Sequence, residues 1–181
     1  MVTPIFDLQK SIQAVLYVAN RLKRKDFHKI FKILYFADRN HLSNYGRTIT
    51  GDFYIAMDDG PVPSKIYDIF KTVRGDGLYS AEKKSDFAPY FAVQNWMFIV
   101  PLKDADLDVM SLSDIEELDK CISMYGNLSW DEIREKSHDF AWRTTAKDHA
   151  IDLQSIMRES GECEEYINFV SQHINLSKAC M

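Results

Sequence analysis

The stretch that decides the fold is Lys32–Pro63, KILYFADRNHLSNYGRTITGDFYIAMDDGPVP, which combines a helix, a turn, a strand and a second turn. Its first part continues an amphipathic pattern that begins at Asp26, with one apolar side chain at each helical turn. The same face then becomes polar, at Asp38, His41 and Tyr45. Burying a carboxylate there costs several kcal/mol unless it gains charged or hydrogen-bonding partners. The sequence therefore predicts either a specific polar network or an exposed helix end.

Two antiparallel helices are predicted at the start of the chain. Asp7 is the expected N-cap of a helix over residues 8–22, and Asp26 caps a second helix that runs to about Asn44. Gly46 supplies the expected stop for this second helix. The turn between the two helices is short and basic.

The residues after this helix predict one strand and a third helix. Residues 53–57, FYIAM, are rich in aromatic and β-favouring side chains, and Gly51 suggests a bulge before them. Gly60 and the prolines on either side of Val62 are expected to end the strand as a turn, because proline restricts its neighbour and glycine leaves φ free. A helix is then predicted from Pro63 to Arg74.

The middle of the chain predicts further β-structure. Two apolar runs at 87–93 and 96–100 flank Gln94-Asn95 and indicate a β-hairpin. With the strand at 53–57 this hairpin would form a three-stranded antiparallel sheet, about the minimum for independent stability.

The second half of the chain returns to helix. Two capping boxes, Ser113 with Glu116 and Ser129 with Glu132, each predict the start of a helix. Shorter helices are expected at 153–158 and 164–174. The predicted fold class is α+β and mostly helical, with about five to seven helices around a small antiparallel sheet of about three strands. Length favours a single domain over residues 1–181.

Charge is distributed unevenly along the chain. The net charge is −5, but residues 1–50 carry nine Lys/Arg and three Asp/Glu, so the remainder is strongly acidic. Basic residues cluster at 21–32, which would suit an acidic partner or a phosphate backbone. A solvated turn is the favoured interpretation, because aromatic residues are not interleaved there as nucleic-acid binding requires.

Targeting and cysteine content indicate a cytoplasmic protein. No apolar run reaches the roughly 18 residues of a membrane span, and the first residues lack a basic leader with an apolar core. Cys121, Cys163 and Cys180 are odd in number and widely spaced, so we expect free thiols with Cys121 in a helix core. No cofactor and no metal ion are expected.

Few residues suggest catalysis. The chain contains no phosphate-binding loop, dinucleotide fingerprint, zinc-protease or nucleophile-elbow motif. Asp38 with His41 is the best candidate for acid/base chemistry, but a structural pair is favoured because no nucleophile or metal ligand accompanies it. Asp58-Asp59 lacks the spaced ligands of a calcium loop. Trp142, within a polar connection at 138–148, either closes the core or provides an exposed contact for a partner, and the buried case is favoured.

The order of motifs in the opening stretch resembles that of the Panacea (SocA-like) antitoxin domain. That family typically carries a helix ending in a KLLYFAD-like run, followed by H-L, Y-G, T-G-D, Y-x-A-M and G-P-V-P. The spacing agrees throughout, and a later region of the family is similar to residues 113–142. The matching positions are Lys32, Leu34–Asp38, His41-Leu42, Tyr45-Gly46, Thr50-Gly51-Asp52, Tyr54, Ala56-Met57 and Gly60–Pro63.

The resemblance implies a bacterial or phage-borne antitoxin that neutralises a cognate toxin by direct protein binding. Some relatives instead present the toxin to a cellular protease. The family has no established catalytic residues, which agrees with the missing motifs, and a separate N-terminal DNA-binding module is not expected because the first predicted helix begins so early. Neither nucleic acid nor membrane is an expected partner. A different class, a small enzyme with Asp38, His41 and Asp52 in a polar pocket, is kept as the rival.

The motif residues are expected to serve the scaffold or the binding of a partner. The toxin would contact more variable surfaces, for which the candidates are the basic turn at 21–32, the hairpin at 87–100 and the connection at 138–148. The residues that we single out for the motif are Asp38, His41, Tyr45, Gly46, Thr50, Gly51, Asp52, Tyr54, Met57, Gly60, Pro61 and Trp142. Asp38, His41 and Tyr45 are expected to tie the helix to the strand through Arg47, Thr50 or Asp52.

Overall fold

A computed structural model describes Val2, residues 4–77 and residues 81–179 of the 181-residue chain. These residues form nine α-helices, four strands and a 3-10 turn at Leu107–Val109. In chain order they are α1 Leu8–Arg21, α2 Phe27–Tyr45, β1 Tyr54–Met57, β2 Gly60–Pro63, α3 Ser64–Arg74, α4 Ala81–Phe87, β3 Phe91–Gln94, β4 Phe98–Pro101, α5 Leu112–Tyr125, α6 Trp130–Ser137, α7 Phe140–Arg143, α8 Leu153–Glu159 and α9 Glu164–Ala179.

The predicted fold class, α+β and mostly helical, is confirmed. Two details were wrong. The four strands make two separate two-stranded sheets, β1 with β2 and β3 with β4, rather than one sheet of three strands. The described residues also contain more helices than expected, because a helix, α4, precedes β3 and a short helix, α7, lies in the segment expected to be a polar connection.

The ends of the first two helices follow the local sequence signals. The Asp7 side chain caps α1 by accepting a hydrogen bond from the Lys10 N–H, and Asp26 caps α2 in the same way through Lys29. Helix α2 ends at Gly46, which adopts the left-handed conformation with φ 69°. These three predictions are confirmed. The local sequence was sufficient to make them because each cap depends on residues within one helical turn.

The start of α5 differs from the prediction. Ser111 is the N-cap and forms a capping box with Asp114, so the helix begins two residues earlier than the Ser113 and Glu116 pair predicts. The Ser113 hydroxyl instead lies 3.0 Å from Nε2 of His41. For α6 the predicted box of Ser129 with Glu132 is present.

Residues Gly60–Pro63, which we expected to form only a turn, form strand β2. This strand pairs antiparallel with β1. Val62 faces Ile55 in this pairing, and Pro61 and Pro63 alternate with it. Their missing N–H groups therefore point away from β1, so neither proline removes a hydrogen bond of the hairpin. Gly51 lies in the loop before β1 and forms no bulge within the strand.

The other edge of β1 is covered by the segment 148–151. The Ala56 N–H donates to the His149 carbonyl at 3.0 Å, and the Ile151 N–H donates to the Tyr54 carbonyl at 2.8 Å. The third partner that we assigned to the 87–100 hairpin thus comes from a later part of the chain.

The second hairpin, β3–β4, is attached to the start of α2. The Phe27 N–H donates to the Met97 carbonyl and the Ile99 N–H donates to the Lys25 carbonyl, each at 2.8 Å. This brings the hairpin loop, Asn95–Met97, beside the basic turn that joins α1 and α2.

Helix α2 lies at the centre of the buried core. It contacts α1, α5, α6, α8 and β2, and side chains on most of its circumference are buried. Packed aromatic rings, including Phe27, Phe31, Phe70 and Phe91, connect it to α3 and β3. Among the described residues no helix is both long and apolar enough to cross a membrane.

The predicted free thiols are in part confirmed. Cys121 is buried in α5 and Cys163 is exposed, and neither forms a disulfide. Cys180 lies outside the described residues.

Candidate functional site

Asp38 is the centre of a buried network that ties α2 to the loop before β1. Its Oδ1 accepts hydrogen bonds from the N–H groups of Ile49 and Thr50, at 2.7 and 3.0 Å. Its Oδ2 accepts from the hydroxyls of Thr50 and Tyr54, at 2.6 and 2.7 Å. Burial raises the pKa of Asp38, while these hydrogen bonds oppose the rise. Both carboxylate oxygens are thus fully used inside the protein.

Asp52 fixes the start of α3. Its Oδ1 accepts from the N–H groups of Phe53 and Lys65, and its Oδ2 accepts from the N–H of Ile66 at 2.9 Å. Because Pro63, the N-cap residue of α3, offers no side-chain hydrogen bond, Asp52 supplies the capping acceptor from the preceding loop. Burial raises the pKa of Asp52 to about 6, against the opposing effect of these N–H donors.

His41 joins the loop after α2 to the start of α5. Its Nδ1 lies 2.8 Å from the carbonyl oxygen of Arg47 and donates a hydrogen bond to it. Its Nε2 faces Ser113 and Asp114, at 3.0 and 3.1 Å. Asp114 also binds Arg47 at 2.9 Å and lies 3.6 Å from Lys10. Burial raises the pKa of Asp114, but the hydrogen bond from His41, nearby N–H and hydroxyl donors and Lys10 outweigh it and leave the pKa well below its ordinary value.

Lys32 is a buried lysine at the β1–β2 hairpin. Its Nζ donates to the Pro61 carbonyl oxygen at 2.9 Å, and the side chain is fully buried. Burial lowers the pKa of Lys32 to about 7. Gly60 has φ 97°, and a Cβ added there would contact Ser137 and Lys32 too closely, so this glycine is needed both for its conformation and for space.

Two further motif residues, Tyr45 and Gly51, lie next to this network. Tyr45, at the end of α2, is 47% exposed, and its ring lies 4.5 Å from that of His41. Gly51 has φ 68°, and a Cβ there would overlap the backbone of Ile5.

Trp142 contacts the β1–β2 hairpin rather than standing free in solvent. The ring is partly buried and is stacked on His138 at 3.7 Å. Its Nε1 donates to the Met57 carbonyl oxygen at 2.9 Å. Met57 thus contributes its backbone, not its side chain, to this contact.

The acidic pair in the hairpin turn forms surface ion pairs. Asp58 binds Lys147 at 2.8 Å and Asp59 binds Arg134 at 3.1 Å. In the part of the chain that the structure describes, no group of three or more His, Cys, Asp and Glu side chains is arranged to hold a metal ion.

The geometry at Asp38 and Asp52 favours a structural role over catalysis. The cavity beside them has a volume of about 10 Å³, which is about the space that a single water molecule needs. Asp38 and His41 are not hydrogen-bonded to each other; each binds a different part of the loop that follows α2. A general base must reach a proton of its substrate, and these side chains are occupied by protein donors.

Three residues important to the network were missed from the sequence. Asp114 was not singled out, and Lys32 was named only as a match to the family pattern. Asp139, also missed, receives hydrogen bonds from Tyr35 and Arg39 at 2.8 and 3.2 Å. Lys32 lies opposite the apolar stripe of Ile30, Leu34 and Ala37, so the helical pattern did not indicate that it would be buried. Asp114 and Asp139 gave no signal either, since their partners lie far away in sequence.

A comparison of the sequence with models of protein families assigns the chain to a family. The family model described as "Antitoxin SocA-like, Panacea domain" matches residues 30–143, which is more than half of the chain. The chain belongs to this family. Comparisons with curated proteins and with solved structures found no match. The matched region includes α2 from Ile30 onward, both hairpins and the buried network from Asp38 to Asp114, and membership implies an antitoxin-like role.

Proposed function

We propose that this protein is an antitoxin that neutralises a cognate toxin by binding it directly, and that it acts in the cytoplasm as a single domain. Membership of the Panacea family is the observation that carries the proposal. It is supported by the absence of sequence signatures for catalysis and by the burial of the motif carboxylates.

We further propose that the motif residues build the scaffold and that the toxin binds elsewhere. Asp38, Asp52 and His41 are 2% exposed or less, and their polar atoms are bound to other parts of the chain. A side chain that is inaccessible and hydrogen-bonded offers a partner neither surface nor a free donor. A network of this kind instead fixes the relative positions of α2, α3 and α5, which present the surfaces that a toxin could contact.

The test is co-expression with the product of the adjacent gene. If that product stops growth when expressed alone, the antitoxin should restore growth, and the two proteins should co-purify. A stable inhibitory complex is expected to bury about 1,200 to 2,000 Å². Failure of both rescue and co-purification would contradict the proposal.

The stability of the toxin in cells separates direct binding from proteolytic adaptation. Direct neutralisation leaves the toxin half-life unchanged or lengthened, because the bound toxin is protected. An adaptor that delivers the toxin to a protease shortens it. A toxin half-life that is shorter with the antitoxin than without it, and that recovers in a protease-deficient strain, would contradict direct neutralisation and support the adaptor mechanism.

A further inference from the structure

The structure brings together two of the candidate surfaces that lie far apart in sequence. The β3–β4 loop lies beside the α1–α2 turn because the Phe27 N–H donates to the Met97 carbonyl and the Ile99 N–H to the Lys25 carbonyl. We call the combined area the hairpin-tip surface and define it by Lys23–Lys25, Arg74, Trp96 and Met97.

The apolar part of this surface projects into solvent. Trp96 is 69% exposed and Met97 is 49% exposed. Large exposed aromatic side chains are enriched among the residues that dominate binding energy in protein interfaces. Trp96 and Met97 thus provide adjacent apolar contacts at the end of a hairpin.

The backbone that carries the tryptophan is strained. Asn95 and Trp96 both have positive φ, 47° and 63°. Asparagine tolerates this conformation, but for a bulky residue it is unusual, and glycine is the preferred residue at the second position of such a turn. Arg74 holds the loop in place, since its Nη1 donates to the Trp96 carbonyl oxygen at 2.8 Å. The guanidinium of Arg74 also lies 5.4 Å from the centre of the Trp96 ring, a cation–π contact that is weak at an exposed site. A strained backbone at an exposed tryptophan is the observation from which we infer a binding role.

The rim of the surface is positively charged. Arg24 is paired with Asp26 and Arg74 with Asp76, whereas among the described residues no ion-pair partner is found for Lys23 or Lys25. The local balance is therefore positive although the whole protein carries −5. A groove of about 380 Å³ runs between the basic turn and β4 and is lined by Lys23, Lys25 and Phe98 among others.

We propose that the hairpin-tip surface binds an acidic segment of the toxin that carries an apolar side chain. Trp96 and Met97 form the apolar centre of the contact, and Lys23 and Lys25 contact carboxylates at its rim. The proposal rests on the toxin-binding function proposed above and specifies which surface serves it.

The observations favour an acidic polypeptide over a nucleic acid. Single-stranded nucleic acids are bound by several stacking rings along an extended basic groove. On the hairpin-tip surface only Trp96 presents a widely exposed ring, Phe98 is half-buried, and the carboxylate of Asp76 lies beside Arg74. Lys23 and Lys25, which have no ion-pair partner among the described residues, lie next to the exposed Trp96 and Met97. A polar rim around an apolar centre is typical of protein–protein interfaces.

The test compares two variants of the full chain with matched controls. Trp96→Gly removes the ring and places the preferred residue in the strained turn, so the melting temperature should not fall. Its affinity for the toxin should decrease at least tenfold. The control Phe169→Ala removes another exposed aromatic ring, which is 64% exposed on α9, and should change affinity less than twofold.

The charge contribution is measured with Lys23→Glu/Lys25→Glu. This double variant should weaken toxin binding at least tenfold, chiefly through slower association, and should reduce the dependence of the association rate on salt. The double variant Lys136→Glu/Lys178→Glu changes the net charge by the same amount on other elements and serves as the control. If the wild type binds the toxin, and Trp96→Gly and Lys23→Glu/Lys25→Glu bind it with the same affinity as the wild type, the proposal is overturned.

A peptide tests the binding preference of the hairpin-tip surface without the toxin, and so independently of the proposed function. A fluorescein-labelled peptide that alternates Glu with Leu should bind the wild type and lose binding in both hairpin-tip variants, while its Lys-for-Glu counterpart should not bind. If the toxin does not bind the wild type at all, the proposed function fails, and the peptide alone decides whether the surface selects acidic segments. Binding of single-stranded oligo-dT that is lost in Trp96→Gly, without peptide binding, would overturn the inference in favour of nucleic acid.

Discussion

The Asp38 network and the hairpin-tip surface use polar residues in opposite ways. In the network, each oxygen of Asp38 accepts two hydrogen bonds and the side chain is 2% exposed. On the surface, Lys23 and Lys25 have no ion-pair partner among the described residues, and Trp96 is mostly exposed. Most of the residues that carry the family resemblance belong to the first group, and Tyr45 is an exposed exception. The comparison teaches that a strongly recognisable motif can consist mainly of buried residues that hold the fold together.

The largest effect is expected from Asp38→Ala. The substitution leaves two N–H groups and two hydroxyls without their buried acceptor, so the free energy of unfolding should fall by roughly 3 to 5 kcal/mol. Urea denaturation followed by circular dichroism measures this loss. The control Asp108→Ala removes an exposed carboxylate and should change stability by less than about 0.5 kcal/mol. Equal stability of the two variants would mean that Asp38 does not hold the loop before β1.

A smaller loss is expected from Gly60→Ala, and Gly161→Ala is its matched control. Both glycines have positive φ, 97° and 83°, so alanine costs roughly 1 kcal/mol at either position for conformation alone. At Gly60 the new Cβ would also lie 2.9 Å from Cε of Lys32 and closer still to Ser137, whereas nothing lies within 4 Å at Gly161. Gly60→Ala should therefore lose roughly 2 kcal/mol more than Gly161→Ala in the same denaturation experiment. Similar losses would show that the hairpin does not need the close approach of Lys32.

The titration of Lys32 should make stability depend on pH. Burial lowers its pKa in the folded protein to about 7, below the ordinary 10.5 of the unfolded chain. Between these values the folded protein binds fewer protons than the unfolded chain, so stability rises with pH. From pH 7 to pH 9 the gain relative to Lys32→Met should approach about 2 kcal/mol.

Thermal melts at several pH values measure this slope. Loss of the hydrogen bond to Pro61 lowers the stability of Lys32→Met at every pH and does not alter the slope. The exposed Lys136→Met should retain the wild-type slope. A wild type and a Lys32→Met variant that respond equally to pH would show that Lys32 stays charged in the folded protein.

The smallest effect on stability is expected at the hairpin-tip surface. Lys23→Ala and Met97→Ala remove exposed side chains and should each change the free energy of unfolding by less than about 0.5 kcal/mol. Their effect on toxin binding should be larger than their effect on folding, the reverse of Asp38→Ala. A loss of more than about 1 kcal/mol at either position would remove the contrast between the two regions.

The features that could be predicted from the sequence depend on neighbouring residues. The caps Asp7 and Asp26 and the stop at Gly46 each act within one helical turn, so the local sequence is sufficient. A link from Asp38 to the following loop was also predicted, because a carboxylate below an apolar stripe needs polar partners. Arg47, Thr50 and Asp52 were the alternatives, and Thr50 is the one that binds Asp38. The fold class followed from these elements.

The features that could not be predicted depend on distant residues. Strand β2 was missed because prolines usually argue against a strand, and only the pairing register shows that Pro61 and Pro63 face away from β1. The true cap of α5 was missed because the choice between Ser111 and Ser113 is decided by His41 and Asp114, which contact each other across a long separation in sequence. The neighbourhood of Trp96 and Lys25 likewise exists only after folding.

The contact between β1 and the segment 148–151 bears on how the domain can be divided. The family match ends at residue 143, but the backbone that covers the outer edge of β1 comes afterwards. A fragment cut at the end of the match would retain β1 with unpaired N–H and C=O groups, and such an edge readily pairs with another chain. We therefore expect the smallest fragment that folds with a covered β1 edge to extend at least to Ile151, and a fragment that ends at residue 143 to self-associate.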